Sequence, residues 1–183
     1  MIWGSGNIAE SRRKFMQLKI GDSVVHPIYG IGHIDKVEER EFFEQEPALY
    51  YQVTLSENNI WIPVEAQKAI GLRLVTAKNE LDQYRDLLKS RPVPLNVNAH
   101  QRHLELTRRL KQGSFQVVCE IVRDLTAAGW RVPLTPRDTT TLQKTRKNLH
   151  EEWAMAAGVS VAEAIKEVDS LLLASRQTPH VVT

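Results

Sequence analysis

Two glycines spaced by one residue, Gly30 and Gly32, sit inside the run Ile-Gly-Asp-Ser-Val-Val-His-Pro-Ile-Tyr-Gly-Ile-Gly-His-Ile that spans Ile20 to Ile34. Glycine inside an apolar strand pattern marks a tight bend or a place where another backbone comes close. Gly21-Asp22 reads as a turn into Val24-Val25, and Pro27 ends that first strand. The pattern predicts a small β-barrel from about Leu18 to Val75, with strands near 22–27, 30–39, 49–55 and 59–64. Ser56-Glu57-Asn58-Asn59 supplies hairpin chemistry between the last two. Because side chains alternate along a strand, Ile60, Ile62 and Val64 share one face and Trp61 and Pro63 the other. A core built from the first set leaves Trp61 facing out.

From Ala77 the apolar period changes from two to about 3.6 residues. Leu81, Tyr84, Leu87 and Leu88 mark a helix that Pro92 and Pro94 stop, and the segment Arg91-Pro-Val-Pro-Leu95 is a stiff connector. Asn98 with Gln101 reads as the capping pair of a helix to about Gln112, with Gly113 as its left-handed stop. Ser114 opens a helix that Gly129 closes, and Thr135-Pro136 opens one that continues to about Ala157. Ser160 and Glu163 form a capping box for a last helix ending near Ala174. The expected organisation is a flexible extension (1–16), a barrel (17–76), a helical domain (77–174) and a disordered tail (175–183).

A formal net charge of +2 conceals a division. Residues 17–76 hold 5 Lys/Arg against 9 Asp/Glu, a net of −4, whereas residues 91–150 hold 11 against 4, a net of +7. The acidic part is unsuited to a phosphate backbone and the basic part suited to one, as a protein linking another protein to nucleic acid requires. Cys119 is the single cysteine, so no internal disulfide is possible, and its neighbours Val117, Val118, Ile121 and Val122 suggest a small core residue. No apolar run approaches the roughly 20 residues of a membrane span and no signal-peptide stretch opens the chain, so the expected location is the cytoplasm.

Gly21 to Ile34, Tyr50-Tyr51, Ile62-Pro63-Val64 and Ile70 to Arg73 resemble, in order, the N-terminal module of the CarD/CdnL family of bacterial transcription regulators, which transcription-repair coupling factors share. Leu110-x-x-Gly113, Val122 to Leu125, Leu134-Thr135, Leu142-x-Lys144-x-Arg146-x-x-Leu149 and Glu152-x-Ala154 resemble that family's C-terminal domain. The resemblance covers about residues 17–173 and implies an α+β protein: a small SH3/Tudor-like β-barrel, then an all-helical bundle of about four to five helices. It implies that the barrel binds the RNA polymerase β-subunit strand against strand and that the helical domain contacts upstream promoter DNA to modulate initiation. The contact with free DNA is expected to be weak and non-specific.

By this resemblance Arg40, Glu41 and Phe42 lie at the polymerase-facing edge, with Trp61 and Pro63 on the neighbouring strand. A Trp beside an Arg is a pair that often dominates interfaces. The alternative is that Phe42, Phe43 and Trp61 form a small core. In the helical part Arg102 and His103 fall on a basic pair of the family and Lys144, Arg146 and Lys147 on its basic patch; with His100 at the same helix start they are the candidate DNA contacts, and a helix N-terminus itself favours phosphate. A solvated charged face is the competing explanation for such runs. The Trp with which the family wedges the edge of the melted promoter falls on Ala99 here, and Trp130, beside Arg131, is the one loop-borne aromatic that could replace it. The competing expectation for Trp130 is that it folds back on the helix end.

The sequence holds no phosphate loop, no paired-carboxylate constellation and no metal quartet, so neither enzyme activity nor a cofactor is expected. His100-x-x-His103 has helical metal-ligand spacing but no third ligand. The main alternative is a polymerase-bound adaptor whose helical domain binds another protein. A monomer is expected.

Overall fold

The computed structural model describes residues 18–41 and 46–177. The expectations for 1–16, for Phe42 and Phe43, and for 178–183 lie outside the described residues. The chain divides into two compact units between Leu74 and Val75.

The first unit is a five-stranded antiparallel sheet: β1 (Ser23–His26), β2 (Gly30–Arg40), β3 (Ala48–Leu55), β4 (Asn59–Pro63) and β5 (Arg73–Leu74). Its order is β4-β3-β2-β1-β5. A 3-10 turn and the four-residue helix α1 (Gln67–Ile70) lie between β4 and β5. The β2–β3 register shifts between Ile34 and Lys36, which makes Asp35 the extra residue of a bulge and bends the strand. Gly32 shows why that strand needs a residue without a side chain: a Cβ there would lie 2.7 Å from Val53 Cγ1 and 2.8 Å from the Thr54 carbonyl oxygen. Leu18, Val24, Ile34, Tyr51, Val53, Ile62, Val64 and Leu72 form the core. The buried Tyr51 hydroxyl donates to Gln67 Oε1 at 3.2 Å, so the ring is buried without stranding its polar end.

The second unit is helical: α2 (Leu81–Lys89), α3 (Ala99–Leu110), α4 (Phe115–Gly129), α5 (Pro136–Ala157) and α6 (Val161–Gln177). The architecture is α+β, as the sequence indicates. The last helix continues three residues past Ala174, so Ser175 to Gln177 are helical rather than tail. Asn98 Oδ1 caps α3, Thr135 with Pro136 opens α5, and Ser160 and Glu163 exchange the two bonds of a capping box. Gly129 departs from the expected role: it is the last residue of α4 and has no left-handed backbone.

Trp153, fully buried, centres the core with Phe115, Cys119, Leu149 and Leu172. Its indole Nε1 donates to Glu167 Oε2 at 2.9 Å, and Arg85 Nε donates to the other oxygen of that carboxylate at 2.6 Å. One acid thereby ties α2, α5 and α6. Among the described residues no helix is long and apolar enough to cross a membrane.

Candidate functional site

In the sheet unit Arg40, Trp61 and Pro63 lie on the face away from the core. The register sets Lys36 opposite Gln52 and Gln52 opposite Trp61, then Glu38 opposite Tyr50 and Tyr50 opposite Pro63. Trp61 is therefore on the outward face, half-buried, while Ile62 is buried; the alternative that joins Trp61 to Phe42 and Phe43 reaches outside the described residues. The Arg40 guanidinium carbon lies 3.7 Å from the Trp61 ring centroid, and Arg40 Nε donates to Glu38 Oε1 at 2.6 Å. A guanidinium this close over an indole is attracted to the ring face, and such a contact contributes about 0.5–1 kcal/mol at an exposed site. Glu41 is exposed just beyond β2. β4 ends the sheet order, so within the described sheet only one side of its main chain is paired. An open edge beside an Arg–Trp stack is what strand addition by a partner requires.

In the helical unit the structure separates the predicted basic residues into two groups. Arg102 does not face solvent as a phosphate ligand would. Its Nη2 and Nε lie 2.6 and 3.2 Å from Asp138 Oδ2, and its Nη1 donates to the Asn96 carbonyl at 2.6 Å. Asp138 is 2 % exposed. Burial pushes that carboxyl's pKa up, but hydrogen bonds from Arg102 and Thr135 and the nearby charges of Arg102 and His103 outweigh it and hold the pKa below the ordinary aspartate value. Arg146 is similarly paired with Asp169 of α6. The start of α3 is also less open than its position suggests, because Asn98 Oδ1 already accepts from the His100 and Gln101 amides, both at 3.0 Å. His100 is exposed and His103 half-buried; among the described residues no group of three potential metal ligands includes them.

Lys144 and Lys147 are exposed on α5, Lys147 loosely paired with Glu151 at 3.8 Å. Sequence reasoning missed Arg137, exposed at the start of the same helix. Residues 137, 144 and 147 are separated by seven and three positions, which on a helix of 3.6 residues per turn puts them on one stripe about 15 Å long. Ala99 is exposed and carries no ring. Trp130 is half-buried against the helical core, with Arg176 5.5 Å from its ring centroid, so it folds back as the competing expectation had it and is not a free wedge.

Comparison with known proteins gives one consistent result for both units. Residues 18–75 match the CarD-like/TRCF RID domain and residues 83–169 match the CarD C-terminal domain. A protein of Bacillus subtilis (strain 168) named "Putative transcription factor YdeB" is 30% identical over 109 residues, 58% of this chain and 71% of that protein.

Proposed function

The chain belongs to the CarD-like family, and from that premise we propose that this transcription regulator binds RNA polymerase through its sheet unit, on the β-subunit, while its helical unit lies against upstream promoter DNA and modulates initiation through the stability of the open complex. The observation that carries the reading is the Arg40–Trp61 stack beside the edge of β4 that no described strand pairs. Main-chain groups on that edge supply affinity, and Arg40, Glu41, Trp61 and Pro63 supply the side-chain contacts.

DNA contact falls to the α5 stripe of Arg137, Lys144 and Lys147, with His100 beside it in the role of a weak partner. Arg102 acts from within by holding α3 against α5, and the partly exposed Arg146 pairs α5 with α6. Three exposed cations, one of them loosely paired with Glu151, without base-reading groups give weak, salt-sensitive binding to DNA alone, so polymerase must bring the helical unit to the promoter. Neither Ala99 nor the packed Trp130 offers a ring to wedge the bubble edge, and phosphate contact carries the effect on initiation instead. The protein acts as a monomer in the cytoplasm.

The test is capture of RNA polymerase from solution by the full chain, repeated with Arg40→Glu. Capture by the parent and loss with the variant support the reading; equal capture by both removes this edge as the docking surface.

A further inference from the structure

The helical unit carries an open groove of about 540 Å³ between the connector that precedes α3 and the end of α4 with the loop that follows it. Its walls are mostly aliphatic, from Val93, Val97, Ala128, Val132 and Leu134. Val97 is 97 % exposed and Val132 62 %. Exposed aliphatic side chains around a concavity of this size are characteristic of a surface that is covered when it functions.

The charges of the groove point to the occupant. Two carboxylates line it, Asp124 and Asp138, but each is buried and neutralised, Asp124 by Arg123 at 2.8 Å and Asp138 by Arg102 at 2.6 Å. Arg91 and Arg131, also part of the lining, are exposed and have no carboxylate partner among the described residues. The groove therefore offers aliphatic walls between two uncompensated cations. We propose that it docks a short acidic peptide segment of another protein, one that inserts a leucine or isoleucine between Val97 and Val132 and places Asp or Glu side chains on Arg91 and Arg131. A nucleic-acid strand fits less well: its phosphates could reach the two cations, but its polar sugar-phosphate backbone would have to desolvate against the aliphatic walls between, whereas an aliphatic anchor gains from them. The groove is thus a second protein-binding surface, distinct from the polymerase edge on the sheet unit and from the α5 stripe.

The experiment uses the full chain and a fluorescein-labelled probe peptide, Asp-Glu-Leu-Leu-Glu-Asp-Leu-Glu, read by polarisation and by amide shifts in ¹⁵N spectra. Saturable binding with the largest shifts at Val97, Ala128 and Val132 is expected. Val97→Asp and Arg131→Glu, both at exposed positions that leave folding intact, are each expected to weaken it at least about tenfold. A probe with Ser for every Leu and one with Lys for every acid should both fail. No binding, shifts outside the groove, or equal affinity in both variants overturns the proposal. Displacement of the probe by a short DNA strand at equal concentration overturns it in favour of a nucleic-acid occupant. None of these outcomes depends on polymerase capture, so this proposal and the function proposed above stand or fall separately.

Discussion

Arg102 on α3 and Asp138 on α5 form an ion pair in which two guanidinium nitrogens, at 2.6 and 3.2 Å, converge on one carboxylate oxygen of a nearly inaccessible acid. Removing one member of such a pair strands the other. Arg102→Ala should cost roughly 3 kcal/mol of unfolding free energy, whereas an exposed control such as Lys144→Ala should stay within about 0.5 kcal/mol. Urea unfolding of the full chain, followed by a signal from the helical unit, measures both. A control-sized effect for Arg102→Ala would mean that the cation is available to an outside ligand after all.

The same pair sets an acid limit. Asp138 has a folded pKa below its unfolded value, so the unfolded chain binds a proton first as the pH falls. The stabilisation is complete above the ordinary aspartate value of 3.8 and is lost as the pH drops through the folded value. Asp138→Asn should therefore lower stability at neutral pH and flatten its dependence below pH 4, which unfolding curves across that range would show.

His150 predicts a separate slope nearer neutrality. It is buried between α5 and α6, its Nε2 has no hydrogen-bond partner, and burial together with the Arg146 charge lowers its pKa, against an opposing pull from Asp169. The ring is folded in its neutral form. The unfolded histidine takes up a proton near 6.5, so the helical unit should lose stability as the pH falls from 6.5 through the depressed folded value. His150→Leu should remove that slope. His26 in the sheet unit is lowered by burial too, and its Nδ1 accepts from the Ile28 and Tyr29 amides, so its own slope should appear only in the sheet unit's signal.

Much of the fold was readable because local chemistry and tertiary packing agree. Asn98, Thr135-Pro136 and Ser160 with Glu163 cap where they do because their side chains reach amides two or three residues away, a distance that sequence displays directly. The outward Trp61 followed from strand alternation for the same reason. What sequence did not display was which cations are already taken. Arg102 and Asp138 are 36 positions apart, and Arg146 and Asp169 are 23 apart, so a charge count over 91–150 treats as free what the helices bring together. Arg137 belongs with Lys144 and Lys147 only through helical spacing across ten positions, which local sequence does not single out. Gly129 was legible as a helix end, although its backbone is not left-handed.

Gly32→Ala tests the close strand approach. Two of the three atoms that the new methyl would meet are side-chain carbons of Val53 and Leu55, at 2.7 and 2.9 Å, but the third is the Thr54 carbonyl at 2.8 Å, which moves only if β3 moves. The expected loss is about 2–3 kcal/mol in the sheet unit, with the helical unit's transition unchanged. A neutral substitution would mean that the β2–β3 pair is looser than this geometry.

The α5 stripe makes the last prediction quantitative. If Arg137, Lys144 and Lys147 are the phosphate contacts, the logarithm of promoter affinity, measured with polymerase-bound protein, should depend more steeply on log salt by about 3 units than that of a variant lacking all three. Each single change to Gln should then remove about one unit of slope and weaken binding to all promoter sequences alike, since phosphate contacts carry no base information. Arg102→Gln should behave differently, lowering stability without a selective loss of slope, because its guanidinium is engaged by Asp138 and Asn96. An unchanged slope in the triple variant would remove α5 as the DNA-facing helix.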